Sequence, residues 1–277
     1  MILSDLFIYP VKSLRGCRVA AAEVDALGLV GDRRFMVVDE NGRFLTQRTH
    51  PRMALISTAL TAQTLTLSAD GCGSRSVARV AGRADASPQL RTVSVWKSEG
   101  LLAEDCGDDV AQWLGALLGA AVRLVRIGAE FRRPILKPNV AGAGDLVAFA
   151  DAFPFLVISE ASLAELNDRL VARGEEAVPM NRFRPNLVVR GCDPFAEDAW
   201  PRFRIGGIVF HAGGPCSRCV VTTTDQSTGE RGPEPLRTLA TYRRDAKDPT
   251  DVNFGQNLVH ETKRGELRLG DPIELLA

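Results

Sequence analysis

Short apolar runs broken by turn residues dominate the first hundred positions. The segments "SDLFIYPV", "RVAAAEVDALGLVGD", "RFMVVDENGRFLTQR" and "ALISTALTAQTLTLS" each run apolar or alternate with polar residues. That is the pattern of strands with one buried face. Asn41-Gly42 sits between two such runs, a strong hairpin signal. A sheet rich in hairpins closes into a barrel or a sandwich. The first helical periodicity falls at 107–119, where Val110, Trp113, Leu114, Leu117 and Leu118 share one face and Asp105 or Asp108 is the expected cap. A strand "AVRLVRI" follows. The Gly- and Pro-rich stretch "GAEFRRPILKPNVAGAGDLVAFADAFP" then reads as the crossing between two domains, long enough to predict a structured loop near a site.

The pattern then restarts. "FLVIS" is a strand, and Ser159 or Ser162 caps a helix over 161–173 with Leu163, Leu166 and Leu170 on one face. "NLVVRG" is a buried strand and "RFRIGGIVFHAG" a hairpin-like pair. "CVVTTTD" reads as another strand, because β-branched residues lose rotamer freedom in a helix. A short helix "PEPLRTLATYRR" and the segments "FGQNLVH" and "LRLGDPIELLA" close the chain.

Composition narrows the class. The 277 residues are 45% hydrophobic and 25% charged with zero net charge, values of a soluble globular protein. Nucleic-acid binders carry a basic surplus, so no nucleic-acid partner is expected. No apolar run approaches the ~18 residues of a membrane span, and the N-terminus does not read as a signal peptide. No membrane association is expected. Of six cysteines, Cys17, Cys72, Cys106 and Cys192 are scattered singly. That spacing predicts reduced thiols and a cytoplasmic location, not a disulfide framework.

Cys216 and Cys219 form the one Cys-x-x-Cys pair. A structural zinc site needs a second half, and His50, His211 and His260 are not spaced to supply it. A thioredoxin-like site needs a helix N-terminus at the first thiol, and the residues after Cys219 read as a strand. Two buried core thiols are the bland alternative. However, "GGPCSRC" places them beside Arg218 in a Gly-Gly-Pro loop, which suits a ligand with soft-metal and phosphate parts. Other basic or amide-bearing loop ends recur: Lys12, Ser13 and Arg15; Arg33 and Arg34; Arg182, Arg184 and Asn186. Each alone is an ordinary solvated loop end. Together they fit a phosphorylated, multiply hydrogen-bonding cofactor.

"YPVKSLRG", "GLVGDRRFMVVDENGRFLTQR", "FLVISEASLAELNDRL", "NRFRPNLVVRGC", "PCSRCVVTTTDQSTGE", "EPLRTLATYR" and "FGQNL" occur in order along the chain. Together they resemble the MOSC proteins that carry an N-terminal β-barrel domain, among them bacterial MOSC oxidoreductases and the mitochondrial amidoxime-reducing components. The resemblance implies a strand-rich α+β fold: a β-barrel-like domain over 1–125, then a MOSC domain over 126–277 with a β-barrel core and flanking helices. It implies a molybdenum–molybdopterin cofactor with Cys219 as metal ligand and catalytic centre, Cys216 being no ligand. Carried over residue by residue, Lys12 and Ser13 hold cofactor phosphate or pterin and Arg33 pairs with the phosphate. Asp151 and the backbone at Phe153 line the pterin, Arg184 and Asn186 bind it, Ser217 and Arg218 flank the metal ligand, and Asn257 closes the pocket. The family also has an association with pyridoxal phosphate binding.

The activity so implied is reduction of small N-hydroxylated compounds: hydroxylamines, amidoximes and N-hydroxylated bases. No iron–sulfur motif such as C-x4-C-x2-C and no G-x-G-x-x-G is present. Electrons are therefore expected from a separate ferredoxin-, flavoprotein- or cytochrome-type donor. The membrane-anchoring segment of the mitochondrial relatives is not expected here. The rivals are a sulfur carrier, with Cys219 as persulfide acceptor, and a non-catalytic cofactor-storage or insertion protein.

Overall fold

The computed structural model describes residues 1–80 and 88–276. Its architecture is strand-rich α+β, and the two halves of the chain interlock. The first strand, Ile2–Ile8, pairs antiparallel with Leu187–Arg190, Ile2 opposite Arg190 and Leu6 opposite Leu187. It thereby enters an eight-stranded sheet otherwise built mostly from the C-terminal half: Ile273–Leu275, Arg202–Ile205, Ile208–Ser217, Asn253–His260, Phe155–Ser159, Leu187–Arg190, Ile2–Ile8 and Cys17–Arg18. In return, Gly265–Arg268 from near the C-terminus pairs with Ala21–Asp25. A cut at 125/126 separates the chain in sequence but not the sheets. The reason is burial. Leu3 and Leu6 are fully buried and pack in one cluster with Phe155, Leu187, Phe203 and Phe210.

The rest of the N-terminal half is barrel-like. Phe35–Asp39, Val122–Arg126, Ser98–Asp105 and Leu90–Val95 form a four-stranded sheet, and Ser57–Leu60, Thr64–Ser68 and Ser74–Ala78 a three-stranded one. Phe35, Val37, Met53 and Leu65 pack under the helix Asp108–Leu118 (α1), which supplies Val110, Trp113 and Leu114. The expected carboxylate cap of α1 is corrected. Gly107 occupies the N-cap with φ +99°, and Asp105 instead accepts its N–H at 2.7 Å while also holding Arg123 at 2.9 Å. Asp105 therefore braces the turn before the helix. The second helix, Glu160–Ala172 (α2), is capped by Ser159, whose Oγ accepts from the Ser162 N–H at 3.0 Å. No helix among the described residues is long and apolar enough to cross a membrane.

The strand expected after Cys219 is absent. Val220–Thr223 forms a 3-10 turn. The Thr222 hydroxyl donates to the Cys219 carbonyl at 3.0 Å and the Thr223 hydroxyl to the Val220 carbonyl at 2.9 Å. These local side-chain bonds reward a helical turn, and they offset the β-branched preference on which the strand reading rested.

Candidate active site

A cleft opens where the halves meet, and every candidate site residue lines it: Lys12, Ser13, Arg33, Asp151, Phe153, Arg184, Asn186, Ser217, Arg218, Cys219 and Asn257. They arrive from six separate stretches of the chain. Lys12 and Ser13 follow the strand Ile2–Ile8, and Arg33 lies in the turn before Phe35–Asp39. Asp151 and Phe153 end the irregular stretch before Phe155–Ser159, and Arg184 and Asn186 precede Leu187–Arg190. Ser217 ends the strand Ile208–Ser217, and Asn257 sits in the neighbouring strand Asn253–His260. The cleft holds about 860 Å³ of empty space, counting the solvent-open region at its mouth.

Backbone strain concentrates here. Five described non-glycine residues have positive φ, and three line the cleft: Ser13 at +67°, Arg33 at +45° and Arg184 at +56°. Such conformations cost of the order of 1–3 kcal/mol each and persist only where surrounding structure imposes them. A hydrogen-bonded clamp across the two halves does so. Asp32 accepts from the Tyr9 N–H at 2.8 Å and from Arg33 at 2.7 Å. Arg33 also donates to the Asn186 Oδ1 at 3.0 Å and the Arg184 carbonyl at 3.3 Å, and Asn186 donates to the Phe7 carbonyl at 3.2 Å. The Arg33 and Arg184 guanidiniums lie 4.2 and 4.3 Å from the Tyr9 ring centre. Burial pushes the Tyr9 phenol up to about 12 and pulls Arg184 down to about 10.

The clamp sorts the cations. Arg33 and Asn186 are engaged with protein partners. By contrast, the guanidinium of Arg184 has no carboxylate or hydrogen-bond acceptor among the described residues. Arg218 donates to the Cys216 sulfur at 2.9 Å and the Phe183 carbonyl at 2.6 Å, and its Nε is buried without a partner. It too has no carboxylate partner among the described residues. Lys12 is only 5% exposed and donates to the Phe149 carbonyl at 2.9 Å and to Asp151. Burial pulls its ammonium down, and Asp151 opposes that. Asp151, its side chain half exposed at the cleft mouth, is held well below the usual carboxylate range by Lys12 and Arg48. Lys12 thus fixes a carboxylate at the cleft wall.

The thiol wall is set by short contacts. Cys219 is half-buried and N-caps the 3-10 turn. Ser217 Oγ donates to Asp251 at 2.6 Å, and Asn257 Nδ2 reaches the Gly214 and Pro215 carbonyls at 3.3 and 3.2 Å. Gly213 lets Phe153 lie against this loop; a Cβ there would meet the ring at 2.7 Å. Among the described residues no three His, Cys, Asp or Glu side chains converge as metal ligands, so the zinc reading of Cys-x-x-Cys gains no further ligand.

Sequence reasoning missed Thr46, Arg48, Arg133 and the amide pair Gln47–Gln226. Arg48 lines the cleft with Thr46. Arg133 is 3% exposed and laces the Asp151 loop through the carbonyls of Ala148 (2.8 Å) and Asp151 (2.7 Å). Gln47 and Gln226 exchange hydrogen bonds at 3.1 and 3.0 Å, and Gln47 also donates to the Ser13 carbonyl at 2.8 Å. That pair ties the Ser13 turn to the segment after Cys219. "LTQRTHP" carried a signal for Thr46 and Arg48, a polar cluster straight after a hairpin; nothing local marks Gln226.

Comparison with known proteins gives one consistent result. The family described as the MOSC N-terminal beta barrel domain matches residues 1–121, and the MOSC domain matches residues 145–274. The human protein named mitochondrial amidoxime-reducing component 1 is 38% identical over 99% of this chain and 82% of its own length. The bovine protein named mitochondrial amidoxime reducing component 2 is 36% identical over 98% of this chain and 82% of its own. The zebrafish component 1, from Danio rerio, is 34% identical over 98% and 84%.

Proposed function

This chain belongs to the MOSC family that carries an N-terminal β-barrel domain, and from that premise we propose that it is a molybdenum-cofactor-dependent reductase of N-hydroxylated compounds. The observation that carries the reading is the cleft's donor set. A half-buried thiol stands with two guanidiniums, Arg184 and Arg218, that have no carboxylate partner among the described residues. Partly desolvated cations with no carboxylate in direct contact call for an anionic ligand, and a thiolate suits a sulfur-rich metal centre. The residues present therefore fit a phosphorylated pterin dithiolene. Cys219 would ligate the metal, Arg184 and Arg218 would hold anionic groups, and Ser13 and Asn257 would offer hydrogen bonds.

When bound, the molybdenum centre supplies two-electron, oxygen-accepting chemistry. The protein's part is positional. The Arg33–Asn186 clamp holds Arg184 in place, and the threonine-tied turn orients the Cys219 thiol. The balance is R–NHOH + 2 electrons + 2 protons → R–NH2 + water, with the electrons from a separate redox protein. The test uses protein from a host that makes the cofactor: molybdenum by elemental analysis, pterin by fluorescence, and benzamidoxime reduction with dithionite and a viologen. About one molybdenum per chain with amidine formation is expected. Sulfur transfer without reduction would instead make the chain a sulfur carrier.

A further inference from the structure

Beside the cleft lies an outer chamber that shares Asp151, Phe153, Cys216 and Asn257 with it and opens to solvent. Its cavity volume is about 770 Å³, more than a hydroxylamine needs. Its walls are unlike the cleft's. Trp96, 44% exposed, and Leu136, 56% exposed, flank it with Pro134, Pro138 and Val140. Exposed apolar side chains converging on one concavity mark a binding surface.

Trp96 also sits where a tryptophan is a poor backbone choice. Val95 pairs with Ser98, so Trp96 and Lys97 form a two-residue hairpin loop, and Trp96 holds φ +53°. Glycine or asparagine is the usual occupant of such a position. A strained bulky residue kept at a site's mouth points to a role for its side chain. The indole is fixed in place. Phe44 packs edge-on at 4.9 Å and the Arg48 guanidinium lies 4.4 Å from the ring.

Resting on the reductase reading, we infer that this chamber seats the aromatic ring of ring-bearing N-hydroxylated substrates, with Trp96 and Leu136 as the residues that set preference for them over hydroxylamine itself. The N–OH group then faces the thiol wall at Cys216–Cys219, and the Asp151 carboxylate, exposed on the chamber side, accepts an amidoxime N–H.

Two variants test this. Trp96→Gly suits the hairpin backbone, and Leu136→Ser changes an exposed side chain, so both should fold. In molybdenum-loaded protein, the ratio of kcat/KM for benzamidoxime to that for hydroxylamine should fall about tenfold in Trp96→Gly and about fivefold in Leu136→Ser, the loss expected for one apolar contact surface. The fall should come from KM, with molybdenum content unchanged. An unchanged ratio in both variants overturns the inference. Wild-type turnover of hydroxylamine decides the reductase reading separately. If wild type reduces neither compound, benzamidoxime binding read by ligand-observed NMR decides the chamber: weakening in both variants supports it, and equal binding in all three proteins overturns it.

Discussion

At the residue scale, the two cysteines of one motif have different surroundings. Cys216 takes a hydrogen bond from Arg218 and packs against the core around Phe183 and Phe254, whereas Cys219 caps the turn that faces the cleft. Cys219→Ser should abolish benzamidoxime reduction and Cys216→Ser should retain most of it; equal loss in both would favour a dithiol site. The cations divide in the same way. Arg184→Ala removes a cation with no carboxylate in direct contact among the described residues and should cut cofactor affinity about 10- to 100-fold, read as molybdenum retained after dialysis. Arg33→Ala instead breaks the clamp to Asp32 and Asn186, so it should lower the melting temperature of the cofactor-free protein as well. His260 supplies the pH test. It is fully buried and donates to the Asp25 carbonyl at 2.7 Å. Burial, with Lys263 nearby, lowers it to about 4 from 6.5. The unfolded chain therefore takes up this proton first as pH falls. Stability should drop by about 3 kcal/mol between pH 6.5 and 4 from this group alone and level off below. Its imidazole NMR signal should not titrate above pH 5.

At the element scale, the periodic segments were legible. α1 and α2 lie within a residue or two of their sequence boundaries, because a one-sided apolar stripe has one way to be buried. The Asn41-Gly42 turn is also where the sequence puts it. Gly42 has φ +73°, and a Cβ would come within 2.2 Å of the Thr92 carbonyl. Gly42→Ala should cost roughly 3 kcal/mol in denaturant unfolding, while the same change at Gly71, also at positive φ but in open space, should cost less. The segment after Cys219 was misread because propensity counts side-chain entropy and omits the hydroxyl–carbonyl bonds that two threonines can make one turn back.

At the scale of the whole molecule, the site belongs to neither half. Ser13 and Arg33 come from one and Arg184, Arg218 and Cys219 from the other, and the strand Ile2–Ile8 completes the C-terminal sheet. A fragment from residue 128 onward leaves Leu187–Arg190 without its antiparallel neighbour and removes Leu3 and Leu6 from the core. It should aggregate or bind cofactor poorly; a soluble fragment with full molybdenum content would refute the shared site. In the intact chain, cofactor that binds only the folded state should raise the melting temperature by mass action.

The sequence by itself determined the strand-rich class, the helices, the hairpin and the family, and through the family the residues that line the cleft. These rest on local periodicity and on motifs a few residues long. Only the tertiary structure decided which cations lack a carboxylate partner among the described residues. Arg33, Arg184, Arg218 and Lys12 look alike as basic residues at loop ends, and their availability depends on carboxylates and carbonyls up to 153 positions away in the chain. The exchange of strands between the halves and the joining of Gln47 to Gln226 were likewise invisible, because long-range pairing is set by which buried faces fit together, and no local window of sequence contains both partners.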